Sequence, residues 1–175
     1  MPEPVTFRTD FTKLSNMIWT TLLHELRQQA HSSAMPIFTA GFLMFLNAGV
    51  FFIGNFLNSN LATLDLQWQF LIWISVLLVP AMAMRAFQSH ETPGSVNFLL
   101  SLPIPSPIFI FSKWLSGTLL LLGMLMLTFP LGITIAFLGQ PDWGVVFAGY
   151  LGAALFLASL YAVAMLAAAI SIEEE

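Results

Sequence analysis

The chain has 175 residues, of which 58% are hydrophobic and only 8% are charged, and its formal net charge is −4. Soluble domains carry about a quarter charged residues, so this composition, with a mean hydropathy of +0.85, excludes an ordinary soluble domain. The chain contains no cysteine, which excludes disulfide, cysteine–zinc and thiol chemistry.

The first part of the chain predicts a mobile segment followed by an amphipathic helix. Residues 1–12 are polar and include two prolines, so we expect them to be mobile. Across residues 13–30, apolar side chains recur at steps of three and four, and polar ones fill much of the opposite side. The apolar set is Leu14, Met17, Ile18, Leu22, Leu23 and Leu26, and the polar set is Lys13, Thr21, Glu25, Arg27 and Gln28. This pattern is typical of a helix in the membrane interface, with Trp19 near headgroup depth. A helix packed on a partner is the alternative.

Four apolar runs follow, and each is long enough to cross a bilayer. They cover residues 36–57, 68–84, 112–138 and 145–170. A transmembrane helix needs about 20 apolar residues, with a range of about 17–25. Buried helices of a soluble core would need polar faces, and these runs have none. The sequence therefore predicts an all-α membrane protein with four transmembrane helices.

Two prolines lie inside the predicted spans. Pro80 removes a helix hydrogen bond to the carbonyl of Val76, and Pro130 removes one to the carbonyl of Met126. We expect each proline to bend its helix. Such a bend can serve gating, although many transmembrane helices contain prolines without a mechanical role.

The longest polar interruption, residues 85–107, lies between the second and third runs. It contains four prolines, and its short apolar patch Phe98-Leu99-Leu100 is too brief to cross a bilayer. A loop of this length is usually either disordered or functional. We therefore expect a coupling loop with a short helix that docks on the membrane or on a partner.

The fourth run is rich in small residues that fall near one helical face. They are Ala148, Gly152, Ser159, Ala162 and Ala169. Small side chains permit close approach of membrane helices, so this face is a predicted helix-packing surface. Residues 171–175 follow as a short tail.

The positive charges predict the orientation of the chain. All five lie at the N-terminal segment or next to the central loop: Arg8, Lys13, Arg27, Arg85 and Lys113. With four spans, these segments and both termini share one side of the membrane. Lys and Arg are enriched on the cytoplasmic side. We therefore expect a multi-pass protein of the inner membrane with cytoplasmic termini and a cytoplasmic coupling loop.

The predicted spans lack the residues that intramembrane chemistry requires. No Asp, Glu, His, Lys or Arg lies in their interiors, whereas ion-coupled transporters usually place ionisable groups at mid-membrane. Intramembrane hydrolases need paired acids or a metal site. The chain also has no Walker-type phosphate-binding loop. We therefore expect no enzymatic activity, no cofactor, no metal and no nucleic-acid partner. Any energy for transport must come from another subunit.

Several motifs, in this order and spacing, carry a family resemblance. They are Leu26-Arg27, Val79–Arg85, Gly94–Pro103, Lys113-Trp114-Leu115, Pro141–Gly144 and Gly149–Gly152. With them, the sequence resembles the permease subunits of type-2 ABC transporters. The resemblance is especially to the branch that includes the gliding-motility permease and the copper-export-like permease of nitrous oxide reductase maturation.

The chain departs from the family pattern at two places. The family commonly has an acid where this chain has Asn97, and a Glu pair with basic residues where it has Ser89-His90 and Glu91-Thr92. Family members also typically have six spans rather than four. The resemblance therefore implies a truncated product, a split subunit or a fragment, whose complete permease half needs two more helices.

The resemblance implies a permease subunit, expected to be an exporter, that couples ATP hydrolysis by a partner to substrate movement. Its partners are a cytoplasmic ABC ATPase, a second permease subunit in a homo- or heterodimer, and membrane lipid. The residues assigned to ATPase coupling are Arg85, Glu91, Gly94, Ser95, Asn97, Phe98, Leu99 and Leu100. A non-transporting four-helix scaffold or assembly factor that docks through the same loop is the alternative.

Overall fold

The computed structural model describes the backbone of residues 7–53, 64–88, 106–138 and 142–173, and the side chains of 18–53, 64–86, 108–134 and 142–171. These ranges are helical throughout apart from short turns. The helices are α1 (Phe7–Ala30), α2 (Met35–Ala48), α3 (Asp65–Gln88), α4 (Ser106–Met126), α5 (Phe129–Leu138) and α6 (Trp143–Glu173), and a π-helical segment, Gly49–Ile53, continues α2.

Helix α1 begins at Phe7, earlier than the predicted start at residue 13. Residues 7–12 of the predicted mobile segment 1–12 form the first turns of α1, and residues 1–6 lie outside the described part of the chain. The physical reason is that no Gly or Pro interrupts the sequence between Pro4 and Pro36. The helix ends in a turn in which the His31 N–H donates to the Arg27 carbonyl at 2.9 Å.

The first span is made of α2 and the π-helical segment. Pro36 lies in the first turn of α2, where a missing N–H costs no helical hydrogen bond. Gly49 begins the π-helical segment beside Phe70 of α3. A Cβ at Gly49 would lie 2.7 Å from the Phe70 ring, so a glycine permits this close approach. Residues 54–57 of the predicted span lie outside the described residues.

Helix α3 is longer than the predicted span 68–84. Asp65 lies in its first turn and Arg85 in its last turn, and these charges interact favourably with the helix dipole. The helix runs without a break past Pro80.

The third span is interrupted at Leu127 and Thr128, between α4 and α5. The interruption lies just before Pro130, which occupies the first turn of α5. The Thr128 hydroxyl donates to the Leu125 carbonyl at 2.7 Å. The sequence therefore located the irregularity correctly, and the structure shows it as a break between two helices.

Helix α6 is the longest helix, and an aspartate caps its start. Asp142 Oδ1 accepts the Gly144 N–H at 2.9 Å, which satisfies a donor that the first turn leaves without a helical partner. The second half of the fourth span continues unbroken to Glu173.

The helices pack around α3, α4 and α6. Helix α3 packs mainly on α6 and α2, whereas α4 packs on α6 and α1. The core includes Leu46 of α2, Val79 of α3, Leu125 of α4 and Leu157 of α6, each at most 1% exposed. Large apolar side chains such as Phe52 and Leu77 are more than 80% exposed on the outside of the bundle.

Four stretches are long and apolar enough to cross a membrane: Met35–Ile53, Asp65–Ala86, Ile108–Thr134 and Trp143–Ser171. The predicted fold class, an all-α multi-pass membrane protein with four spans, is therefore confirmed. The outward-facing apolar side chains match a bundle whose surroundings are hydrocarbon.

Candidate functional site

A buried ion pair lies where α1 meets the start of α4 and the end of α3. We call this part of the bundle the basic end, because Arg27, Arg85 and Lys113 belong to it. The Lys113 ammonium lies 3.7 Å from a Glu25 carboxylate oxygen, and the two side chains are 1% and 2% exposed.

Lys113 also joins a third helix to this ion pair. Its ammonium donates a hydrogen bond of 2.7 Å to the carbonyl of Ala86, in the last turn of α3. The same ammonium lies 5.4 Å from the centre of the Phe109 ring, within the range of a cation–π interaction. One side chain of α4 therefore contacts α1 and α3 together. We call this arrangement of Glu25, Lys113 and the Ala86 carbonyl the Lys113 clamp.

The Lys113 clamp corrects two expectations from the sequence. Glu25 was expected on the polar side of α1, and the structure instead buries it against α4. The third span was expected over residues 112–138 with no ionisable residue in its interior. The observed apolar span, Ile108–Thr134, includes Lys113. A faint signal existed in the sequence, because Leu22, Glu25 and Gln29 share one helical stripe.

The rest of that stripe also holds α1 against α4. Leu22 is buried, and the Gln29 side-chain amide donates to the Ser116 hydroxyl at 3.0 Å. Ser116 in turn donates to the Lys113 carbonyl at 2.9 Å. On another side of α1, Trp19 is 60% and Leu23 is 43% exposed. The amphipathic helix thus packs on this chain's own α4 and keeps apolar side chains available for a membrane interface.

Helix α4 is fixed to α6 next to the Lys113 clamp. The Trp114 indole N–H donates to the Ala158 carbonyl at 3.1 Å. The phenol of Tyr161, which is 1% exposed, lies over Gly117, where any side chain would collide with it. Movement of the start of α4 would therefore act directly on α6.

The residues assigned to ATPase coupling lie next to the Lys113 clamp or outside the described structure. Arg85 is exposed near the end of α3, adjacent in sequence to the Ala86 carbonyl that Lys113 binds. The remaining assigned residues lie outside the described part of the chain, and their coupling role stays a prediction: Glu91, Gly94, Ser95, Asn97, Phe98, Leu99 and Leu100.

A cavity of about 310 Å³ opens at the basic end between α1, α2 and α3. Its polar lining comes from Gln28, Gln29, Ser32 and Arg85. Its apolar lining is Ala34, Met35, Phe38, Met82 and Ala86. The cavity therefore combines one cation and neutral hydrogen-bonding groups with an apolar wall.

A second buried polar cluster lies at the opposite end of the bundle. The Gln67 side-chain amide donates to the Thr128 hydroxyl at 3.2 Å and to the Tyr150 hydroxyl at 3.4 Å. The two hydroxyls lie 3.2 Å apart, and the Trp68 ring meets the Tyr150 ring edge-on at 5.0 Å. This cluster ties α3 to α6 and to the interruption of the third span.

The small residues predicted for helix packing lie on the outer surface of α6. Ala148, Gly152, Ser159, Ala162 and Ala169 are all exposed, and a Cβ at Gly152 would meet nothing within 4 Å. The buried side of α6 instead carries larger side chains such as Leu157 and Tyr161. The predicted surface is thus directed away from the other described helices.

The described residues offer hydrogen bonding, charge and packing as their chemistry. Two hydroxyls that could serve as nucleophiles donate to their own helices: Ser75 to the Leu71 carbonyl at 2.6 Å and Ser159 to the Phe156 carbonyl at 2.9 Å. Among these residues, no group of three or more His, Asp or Glu side chains is placed to hold a metal ion.

No family model, no curated protein and no solved structure matches this chain.

Proposed function

We propose that the chain is a membrane-spanning permease subunit of an ABC-type transporter, in which a partner ATPase drives substrate export across the inner membrane. The proposal rests on the four apolar spans, on the motifs that resemble type-2 ABC permeases, and above all on the Lys113 clamp. A transporter driven from outside the membrane needs a rigid connection between its docking segment and its spans.

The Lys113 clamp supplies such a connection. The segment between α3 and α4, residues 89–105, carries the predicted coupling residues other than Arg85, which lies in α3. Its two flanking helices are joined by the hydrogen bond from Lys113 to the Ala86 carbonyl. Because the ion pair with Glu25 adds α1, a displacement of this segment would move the ends of three helices together.

The contacts beyond the Lys113 clamp extend this path into the bundle. Trp114 and Gly117 of α4 contact α6 through the Ala158 carbonyl and the Tyr161 ring. Packed side chains with discrete arrangements are what carries coupling between distant sites. Motion that begins at the docking segment would therefore reach the fourth span, whose outer small-residue face is available to a second permease subunit.

The proposal is tested by co-purifying the chain with a Walker-motif ATPase encoded by a neighbouring gene. Phe98→Ala removes an apolar side chain from the predicted docking patch, and burial of such a side chain is worth about 1.5–3 kcal/mol. We expect ATPase binding to weaken by about tenfold or more, with normal membrane insertion. Phe45→Ala is the matched control, because Phe45 is 67% exposed on α2, within a span.

Two results would contradict the proposal. Unchanged ATPase binding by the combined Phe98→Ala and Leu99→Ala variant would exclude the loop as the docking element. No ATPase binding by the wild-type chain would favour the alternative, a scaffold or assembly factor without a transport role.

The proposed orientation has its own test. Cysteines introduced at Ser89 and at Asn60 lie on opposite sides of the membrane if the termini are cytoplasmic. An impermeant thiol reagent added to intact cells should label only the cysteine at position 60. Labelling at position 89 would reverse the orientation.

A further inference from the structure

We propose that the cavity at the basic end binds the phosphate of an anionic phospholipid headgroup, with Arg85 as the cation that recognises it. This inference requires only that the chain spans a membrane, and it holds whether or not the chain binds an ATPase.

The position of the cavity places it at the boundary of the hydrocarbon. It is lined by Met35, where one apolar span begins, and by Ala86, where another ends. Nearby on the same helices, Ile37 is 72% and Met84 is 47% exposed. These exposed apolar side chains favour contact with hydrocarbon beside the cavity. Because the cavity lies where the apolar spans end, it lies at the depth of the lipid headgroups.

The polar lining suits a phosphate. The Arg85 guanidinium has five N–H donors in a planar arrangement that matches phosphate oxygens. No ion pair of Arg85 occurs among the residues that the structure describes, whereas Lys113 is committed to Glu25. Gln28 adds an amide donor beside it, and the first turn of α2 contributes the positive end of its helix dipole.

Ser32 adds a hydroxyl donor to the same lining. Its oxygen accepts the Ala34 N–H at 3.4 Å, an arrangement that leaves the hydroxyl proton directed elsewhere. Phosphate oxygens accept several such bonds at once, so one cation with neutral donors around it is a suitable site for a singly charged phosphodiester.

The apolar lining distinguishes a lipid from a free anion or an acidic peptide. Met35, Phe38 and Met82 form a wall against which a glycerol backbone and the start of an acyl chain can pack. At about 310 Å³ the cavity holds a headgroup and its glycerol, and the chains would continue along the exposed surface of the spans. Basic pockets between transmembrane helices bind anionic headgroups in this way.

The test measures which lipid the intact chain retains. The protein is reconstituted into vesicles of phosphatidylcholine and phosphatidylglycerol, released into mild detergent, and weighed with its bound lipids by native mass spectrometry. We expect the wild-type chain to retain phosphatidylglycerol preferentially. Arg85→Gln should reduce the ratio of retained phosphatidylglycerol to phosphatidylcholine by about tenfold, the effect of losing one charged hydrogen-bonding partner.

Arg27→Gln is the matched control. Arg27 is exposed on the last turn of α1 at the same end of the bundle, and it does not line the cavity. This variant removes one positive charge from the same end of the bundle but leaves the cavity lining intact. It should therefore leave the ratio of retained phosphatidylglycerol to phosphatidylcholine unchanged. Both arginines are exposed, so both variants should keep the helical content and melting temperature of the wild type.

Four results would overturn the inference. Equal loss in Arg27→Gln would indicate diffuse attraction rather than a site. Equal retention of the two lipids would exclude selection of an anionic headgroup. Displacement of the lipid by millimolar inorganic phosphate would assign the cavity to a free anion. Unchanged lipid retention in Arg85→Gln, together with lost binding of a partner protein, would make the cavity a protein-docking surface.

Discussion

The Lys113 clamp makes a quantitative prediction, because its two charges are almost completely buried. Removing one partner from a buried ion pair costs about 3–5 kcal/mol, since the remaining charge stays in a low-dielectric environment. Lys113→Met should be the more severe change. It leaves Glu25 buried without its cation, and it also removes the donor to the Ala86 carbonyl.

Glu25→Met should be milder than Lys113→Met. The Lys113 ammonium would keep its hydrogen bond to the Ala86 carbonyl and its position over the Phe109 ring. In the double variant, neither charge is buried alone, and the main remaining loss is the donor to Ala86, worth about 1–3 kcal/mol. The double variant should therefore be more stable than Lys113→Met alone.

The assay is the free energy of unfolding in mixed detergent micelles, followed by helical circular dichroism as the fraction of sodium dodecyl sulfate rises. Limited proteolysis of α1 gives a second readout, because loss of the ion pair should release this helix first. Arg27→Met is the control, and an exposed substitution of this kind should change stability by less than about 0.5 kcal/mol. A Lys113→Met variant as stable as the control would refute the reasoning, as would a double variant less stable than Lys113→Met alone.

Three further predictions concern packing elsewhere in the bundle. Gly117→Ala should lower stability by about 1–3 kcal/mol through overpacking against Tyr161. The control is Gly123→Ala, where a Cβ meets nothing within 4 Å and the melting temperature should rise slightly. Equal effects in the two variants would contradict the close contact between Gly117 and Tyr161. Tyr150→Phe should cost about 1 kcal/mol through its lost hydrogen bonds at the opposite end, and a melting temperature equal to wild type would exclude that contribution. Gly152→Leu should weaken self-association in detergent, measured by sedimentation, without lowering monomer stability; an unchanged association constant would show that this face is not a helix-packing surface.

The sequence alone determined the features of this protein that depend on the composition of one continuous stretch of chain. Four spans follow from the length and apolarity of continuous runs, because a bilayer requires about 20 such residues wherever they occur. Pro130 locates the irregularity of the third span, because proline removes a backbone donor, although the same loss at Pro80 leaves α3 unbroken. The start of α1 was missed because helix boundaries depend on weak local preferences.

Only the tertiary structure decided which polar side chains meet. Glu25 and Lys113 lie on different helices, and nothing in the periodicity of either one reveals that they pair. Gln67 meets Tyr150 only because the N-terminal parts of α3 and α6 lie side by side at the same end of the bundle. Small residues show that a helix face can pack closely, but Gly152 lies outside because larger side chains on the other side of α6 fill the core. Contacts between residues far apart in the sequence depend on how the helices are arranged. That arrangement results from all the packing interactions of the chain together, and no single sequence pattern reveals it.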